Sequence, residues 1–305
     1  MNRVFAPPDV ERFRTVLVRR LGLQFDDSKL GLLGDVLRRR TAQHQAGGGD
    51  YLTSLERAPP PGECDALAEE LTVTETYFFR NHEQFDALAA IVLPDRLRRR
   101  GDARRLSLLS AGCASGEEAY SLAIAATEAL PDSGWRAEIR AADLNPAALA
   151  KARRGRYSAW ALRETSAEAK RRWFTPEGPL MAVDETVRAA VRFESANLAD
   201  PDAKLWKAGA HDVIFCRNVL MYFSTEQRRA AIARLGQCLA PGGYLFLGHA
   251  ETMTGLSDAF HLRHSHNCFY YQRKEGADAP PARPLPVAPD NESRSEEHTS
   301  ELQSP

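Results

Sequence analysis

The chain runs to 305 residues, long enough for one sizeable core plus a smaller domain, and its 40 Lys and Arg nearly balance its 41 Asp and Glu. That balance removes any global electrostatic case for nucleic acid or an anionic membrane surface, so basic recognition must be local. Five scattered cysteines without a C-x-x-C pair fit a reducing compartment, and with no N-terminal apolar segment and no run near the ~18 apolar residues of a membrane helix, a cytoplasmic protein is expected.

Asp9 is placed to cap a helix in which Val10, Phe13, Leu17 and Leu21 follow helical spacing and Gly22 supplies the stop. A second helix is expected from about Ser28 through Leu30, Leu33 and Leu37 to Arg40, and a third, capped by Asp50, after the turn Gly47-Gly48-Gly49. A fourth, carrying Leu67 and Leu71, follows the break Pro59-Pro60-Pro61-Gly62. Residues 1–75 thus read as an N-terminal all-helical domain, followed by a linker over 76–100.

Beyond residue 100 the grammar changes. Leu106 to Ser110 is a short strand-like run, followed by a glycine turn, a helix from about Gly116 to Leu130, and a second strand, Ala137 to Ala142, ending at Asp143. Asp212 to Cys216 and Tyr244 to Gly248 are further apolar runs, separated by a helix from about Thr225 to Leu239. This alternation predicts an α/β fold with an open, mainly parallel sheet over 101–275. The runs Phe260 to Leu262 and Cys268 to Gln272 sit too close for a helical crossover and should form an antiparallel terminal hairpin. Between 157 and 191 a helix-like stretch, Glu164 to Phe174, and a Pro-Gly turn interrupt the alternation and mark a small inserted β-subdomain. The segment 276–305 has a disordered-tail composition, and Arg294 to Pro305 resembles the conceptual translation of a sequencing adapter.

The stretch Gly112-Cys113-Ala114-Ser115-Gly116 leaves small residues between a strand and a helix, where backbone passes close to a ligand. The NAD fingerprint G-x-G-x-x-G is not met, because Ala114 takes its middle glycine. Glu117 and Glu118 also enter the helix where a pyrophosphate would sit, and like charges there would repel it. A zwitterion with an ammonium group suits them better, and S-adenosylmethionine provides one, together with a sulfonium. Asp143, at the end of the next strand, is placed to accept hydrogen bonds from both ribose hydroxyls.

These residues resemble the CheR family of chemotaxis receptor glutamate methyltransferases over roughly Val10 to Lys274. The motifs that carry the resemblance are Thr76-Tyr77-Phe78-Phe79-Arg80, the run from Ala111 to Ser121, Asn197-Leu198, Phe215-Cys216-Arg217-Asn218-Val219, Tyr222-Phe223 and Gly248-His249-Ala250-Glu251. The resemblance implies a Rossmann-like S-adenosylmethionine-dependent methyltransferase sheet and a methyl transfer onto glutamates of a methyl-accepting chemotaxis receptor's cytoplasmic helical bundle. It implies that Thr74, Thr76 and Arg80 close over the cofactor, Gly112 and Glu118 meet its amino-acid end, and Asp143 holds its ribose. Asn197, Leu198, Arg217 and Asn218 would complete the pocket, with Tyr222 and Arg80 at the reacting centre. Arg38, Arg39 and Arg40 are placed to dock an acidic receptor helix, as basic residues of the family's helical domains do. Three departures stand out: Thr74 replaces a frequent Asn, Ala114-Ser115 a Ser-Thr pair, and Ala250 a Ser. The turn Thr175 to Leu180 is shorter than in members that grip a receptor's C-terminal peptide, which puts tethering by that route in question.

The chemistry needs no metal and no strong base, because a glutamate carboxylate is already ionised at neutral pH. His264 and His266 lack a third ligand and read as surface histidines, and Cys216 lacks a base partner and reads as packed. The alternative is a non-catalytic S-adenosylmethionine sensor or scaffold on the same fold.

Overall fold

The computed structural model describes residues 5–45 and 47–276. The tail expected over 276–305, with its adapter-like segment, lies outside them apart from Gly276. Four helices come first: α1 (Pro7–Leu21), α2 (Leu30–Gln43), α3 (Gly48–Arg57) and α4 (Glu63–Leu71). Their apolar faces, among them Phe13, Leu17, Leu33, Leu37, Leu52 and Leu67, share one buried core. Two expected caps are corrected. α1 starts at Pro7 behind Ala6, and α3 starts at Gly48 behind Gly47. Asp9 and Asp50 instead sit inside the first turns, where a carboxylate favours the positive end of the helix dipole. Proline, with no N–H to lose, suits the opening of α1. Gly22 stops α1 as expected, at φ +77°, its N–H donated to Val18 O at 3.0 Å.

The expected linker 76–100 is mostly helix. α5 (His82–Ala87) runs through a π-helical turn, Leu88–Val92, into α6 (Leu93–Arg99), and Leu88, Val92 and Leu93 are fully buried in the core of the sheet. Irregular backbone occupies residues 72–81, with Phe79 and Asn81 at positive φ.

Strands β1 (Arg105–Ala111) and β2 (Arg136–Asp143) flank α7 (Glu117–Ala129), and α8 (Pro146–Arg154) follows β2. The inserted unit holds β3 (Arg156–Ser158), α9 (Ala167–Trp173), β4 (Phe174–Glu177) and β5 (Leu180–Val183), its three strands forming an antiparallel sheet in the order β3-β5-β4. α10 (Glu185–Ala189) leads into β6 (Val191–Ser195). Then come β7 (His211–Cys216), α11 (Thr225–Cys238), β8 (Leu239–Leu247), β9 (Phe260–Ser265) and β10 (Cys268–Arg273). The main sheet has seven strands in the order β6-β2-β1-β7-β8-β10-β9. Its first five are parallel, while β10 pairs antiparallel with both β8 and β9. This is the α/β Rossmann-like methyltransferase sheet with its terminal hairpin. The chain leaves β1 toward β2 and β6, then returns to place β7 on the other side of β1. The strand order therefore reverses between β1 and β7, where open parallel sheets bind ligands beyond their carboxyl ends.

At the opposite end of these strands Asp212 fastens α6 to the sheet. It accepts from Arg96 Nε and Nη2 at 3.0 and 2.8 Å, from Arg100 Nε at 2.8 Å and from the Ser107 N–H at 3.0 Å. Its neighbour His211 is 1% exposed, with Nδ1 3.0 Å from Ser107 Oγ. Burial, reinforced by Arg140 and opposed by Asp212, pushes the His211 imidazole down to about 4. Because that lies below the unfolded value near 6.5, His211 adds stability that is complete above about pH 6.5. It is lost as pH falls toward about 4, to a total of roughly 3 kcal/mol. Urea unfolding as a function of pH should show this loss in the wild type and a flatter slope between pH 6.5 and 5 in His211→Gln.

Candidate active site

The loop after β1 carries the first wall of the site. Gly112 (φ +84°) and Gly116 (φ +93°) adopt backbone that L side chains rarely take, and a Cβ on Gly112 would lie 2.2 Å from Val219 Cγ2. Glycine there lets the loop after β1 touch the loop after β7. The turn is pinned from below: Gly112 and Cys113 N–H groups both donate to Ala142 O, and Tyr157 Oη donates to Ser115 O at 2.7 Å.

Beyond this turn opens a cleft with about 940 Å³ of empty space, the open solvent at its mouth included. Thr74, Thr76, Arg80, Gly112, Glu118, Asp143, Asn197, Leu198, Arg217, Asn218 and Tyr222 all line it. Residues spread over 149 positions of sequence meet here because β1, β2, β6 and β7 all end at this edge of the sheet, and the 72–81 segment crosses above it.

The two glutamates of the loop part company. Successive helical residues lie about 100° apart, so only one of the pair can face the cleft. Glu118 does, accepting from Ser110 Oγ at 2.6 Å and from Arg217 Nε at 2.7 Å. Glu117 turns under the loop, accepts from Ser115 Oγ at 2.6 Å, and lies 3.5 Å from Lys151 Nζ. Burial pushes its carboxyl up. The acidic rim expected from both residues is therefore Glu118 alone. Asp143 accepts from the N–H groups of Ala114 (2.7 Å) and Asn145 (2.8 Å), one on each oxygen, leaving lone pairs for further donors. Burial raises its pKa against those two bonds.

Arg217, with a side chain 3% exposed, holds the roof. Besides Glu118 it donates to Arg80 O and, at 2.9 Å, to Gln84 Oε1, and Gln84 in turn donates to Leu247 O at 2.8 Å. Arg80 is thereby tethered through its backbone, while its guanidinium reaches Glu75 O at 3.3 Å. Phe78 is fully buried, edge-on to Tyr157 and Phe174, so the segment that carries Thr76 and Arg80 is anchored in the inserted unit. Arg163 adds a second anchor 3.6 Å above the Tyr77 ring. No role was expected for Arg163; an Arg over a ring 86 positions away leaves no pattern in sequence.

The N-terminal helices form the far lip. Asn197 Nδ2 donates to Arg20 O at 3.2 Å, and the Gln24 N–H donates to Tyr222 O at 2.8 Å. A Cβ on Gly22 would fall 2.3 Å from Ala199 Cβ, so the end of α1 sits directly against the loop after β6.

The three docking arginines differ. Arg38 pairs with Asp35 and Arg39 with Glu70, on side chains 41% and 54% exposed. Arg40 is 11% exposed and committed to the buried Glu63, which also accepts from Tyr51 Oη at 2.6 Å and lies 2.5 Å from His44 Nε2. Arg40 therefore ties α2 to α4, because an unpaired carboxylate at Glu63 would be costly to bury. Cys216 is fully buried, its thiol pushed well up by burial, as expected of a packed cysteine. His264 lies on β9 against Phe269, whereas His266 sits in the following turn at φ +49°. The two do not share a strand face. Among the described residues no group of three His, Cys, Asp or Glu side chains is arranged to hold a metal, and no helix is long and apolar enough to cross a membrane.

The family described as CheR methyltransferase, SAM binding domain, matches residues 74–269. Over 273 residues the chain is 34% identical to the chemotaxis protein methyltransferase Cher2 of Pseudomonas putida, covering 87% of this chain and 98% of that protein. It is 36% identical over 279 residues to chemotaxis protein methyltransferase 2 of Vibrio cholerae, covering 90% and 96%. The probable biofilm formation methyltransferase WspC of Pseudomonas aeruginosa is 34% identical over 246 residues, 79% of this chain and 56% of that protein.

Proposed function

The chain belongs to the CheR methyltransferase family, and on that premise we propose that it methylates glutamate carboxylates on the cytoplasmic helical bundle of a chemoreceptor, yielding glutamate methyl esters and S-adenosylhomocysteine. The observation that carries this reading is the meeting of Arg80 and Tyr222 with Glu118 and Asp143 around one cleft. A cation and a hydroxyl thus face the same space as two carboxylates suited to an ammonium and a ribose.

The residues present fit S-adenosylmethionine: Gly112 keeps the loop free of a side chain, Asp143 has acceptor capacity for ribose hydroxyls, and Glu118 offers a buried carboxylate to an ammonium. When bound, this group supplies an electrophilic methyl on a cationic sulfur. The protein has to position an incoming carboxylate, which is ionised at neutral pH and requires no base. Alignment of this kind is worth roughly 7–11 kcal/mol. Arg80, on its tethered backbone, orients the carboxylate, and too tight a grip would stabilise the ground state instead. The Tyr222 hydroxyl donates a hydrogen bond beside the reacting centre.

Arg38 and Arg39, on the exposed side of α2, remain for docking an acidic receptor helix; Arg40 does not. The similarity to a methyltransferase named for biofilm formation supports a second reading, in which the receptor belongs to a biofilm pathway and the chemistry is unchanged.

Turnover on receptor-containing membranes should fall at least tenfold in Tyr222→Phe and in Arg80→Ala. Arg38→Glu with Arg39→Glu should slow methylation most at low salt, where steering is strongest. Full turnover in both cleft variants would remove the assigned roles.

A further inference from the structure

Glu251 does not line the cleft, yet its carboxylate joins the two loops that end β7 and β8. Oε2 accepts from the Asn218 N–H and from the Gly248 N–H, both at 2.8 Å, while Oε1 accepts from the Met221 N–H at 3.2 Å. The backbone closes the same turn, with the Glu251 N–H donated to Gly248 O at 2.9 Å. The space is tight: a Cβ on Gly248 would lie 2.8 Å from Glu251 Oε2 and 2.9 Å from the Asn218 nitrogen.

These bonds bear on a segment that has few others. Asn218 stands at φ +58°, left-handed backbone that asparagine adopts more readily than other side-chain residues, and there its N–H is donated to Glu251 Oε2. Directly after it, Leu220–Tyr222 forms a single 3-10 turn. Tyr222 is held from the N-terminal side through the Gln24 N–H, and Glu251 grips the turn from the β8 side. A charged acceptor shared by backbone donors makes stronger bonds than a neutral one.

Resting on the proposed methyl transfer, we infer that Glu251 is a positioning residue, setting Asn218 and Tyr222 in the cleft by holding the 218–221 backbone. Glutamine keeps one acceptor oxygen for the two short bonds but turns an NH2 toward the Met221 N–H. Aspartate is one methylene too short to span the loops, and alanine supplies nothing. The expected order of function is therefore Glu, then Gln, then Asp and Ala.

The test uses the full chain with two readouts, S-adenosylhomocysteine affinity by calorimetry and turnover on receptor membranes. Glu251→Ala should weaken S-adenosylhomocysteine about tenfold through Asn218 and lower kcat at least tenfold through Tyr222, with Glu251→Gln between it and the wild type. Receptor KM should stay within about twofold. In a Tyr222→Phe background Glu251→Ala should remove little further kcat, because both changes act through one side chain. Wild-type affinity in Glu251→Ala, or a full additional loss of kcat in the double variant, would overturn the inference. Should the alanine variant not fold, the Glu251→Gln comparison carries the same two readouts. A wild type that binds S-adenosylhomocysteine yet transfers no methyl would refute the proposed reaction, and the affinity arm alone would still decide the role of Glu251.

Discussion

Arg217→Ala is expected to destabilise the protein by about 3–5 kcal/mol and to abolish measurable binding of S-adenosylhomocysteine. The size follows from what the side chain leaves behind. Glu118, 8% exposed at its side chain, would keep a buried negative charge whose cation has gone, and that is the costly way to break a buried pair. The Arg80 carbonyl and Gln84 Oε1 would lose a donor, and the guanidinium now 5.7 and 5.4 Å from the Phe85 and Phe215 ring centres would leave a cavity. Arg217→Lys should not restore function, because one ammonium cannot reproduce a planar fork aimed at Glu118 and the 80–84 turn together. Adding Glu118→Gln to Arg217→Ala should recover part of the stability by removing the stranded charge, though not the binding. Thermal and urea unfolding with calorimetry check all three; an Arg217→Ala protein of wild-type stability would contradict the arrangement.

Gly112→Ala should be the most damaging single added methyl group at the cleft. The new Cβ would meet Val219 Cγ2 at 2.2 Å and require φ +84° from an L-residue. Overpacking and backbone strain together amount to about 2–5 kcal/mol. The loops after β1 and β7 would be forced apart, so affinity should fall as well as stability. Val219→Ala in the same chain relieves the collision and leaves the dihedral cost, so it should rescue stability partially. Complete rescue would mean that the backbone conformation itself is cheap; no rescue would mean that the loops do not meet as described.

Features that depend on local composition were legible in the sequence. The glycine turn, the strand ending at Asp143 and the terminal hairpin each followed from small residues, period or a connection too short for a helix. β6 was not legible, because Val191–Ser195 is an edge strand with only Val191 buried, and its polar residues look like loop. The 82–99 helical run was not legible as helix within the linker, because its buried Leu88, Val92 and Leu93 fall on and beside a π-helical turn that blurs the usual spacing. In the site, the neighbours Glu117 and Glu118 are equivalent as letters, and only the helix phase separates them. Arg38, Arg39 and Arg40 are likewise one charge run in sequence; packing against Glu63 removes the third from the surface. Asn197, Leu198, Arg217, Asn218 and Tyr222 came from family resemblance, since residues that meet only through the reversal of strand order leave no local signature.

Incubating the protein with S-adenosylmethionine labelled in its methyl group and membranes containing a chemoreceptor tests the central claim most directly. Label should appear on receptor glutamates, be released as methanol by mild base as an ester requires, and be abolished when those glutamates are replaced by alanine. Tight cofactor binding with no base-labile label on any receptor would contradict it.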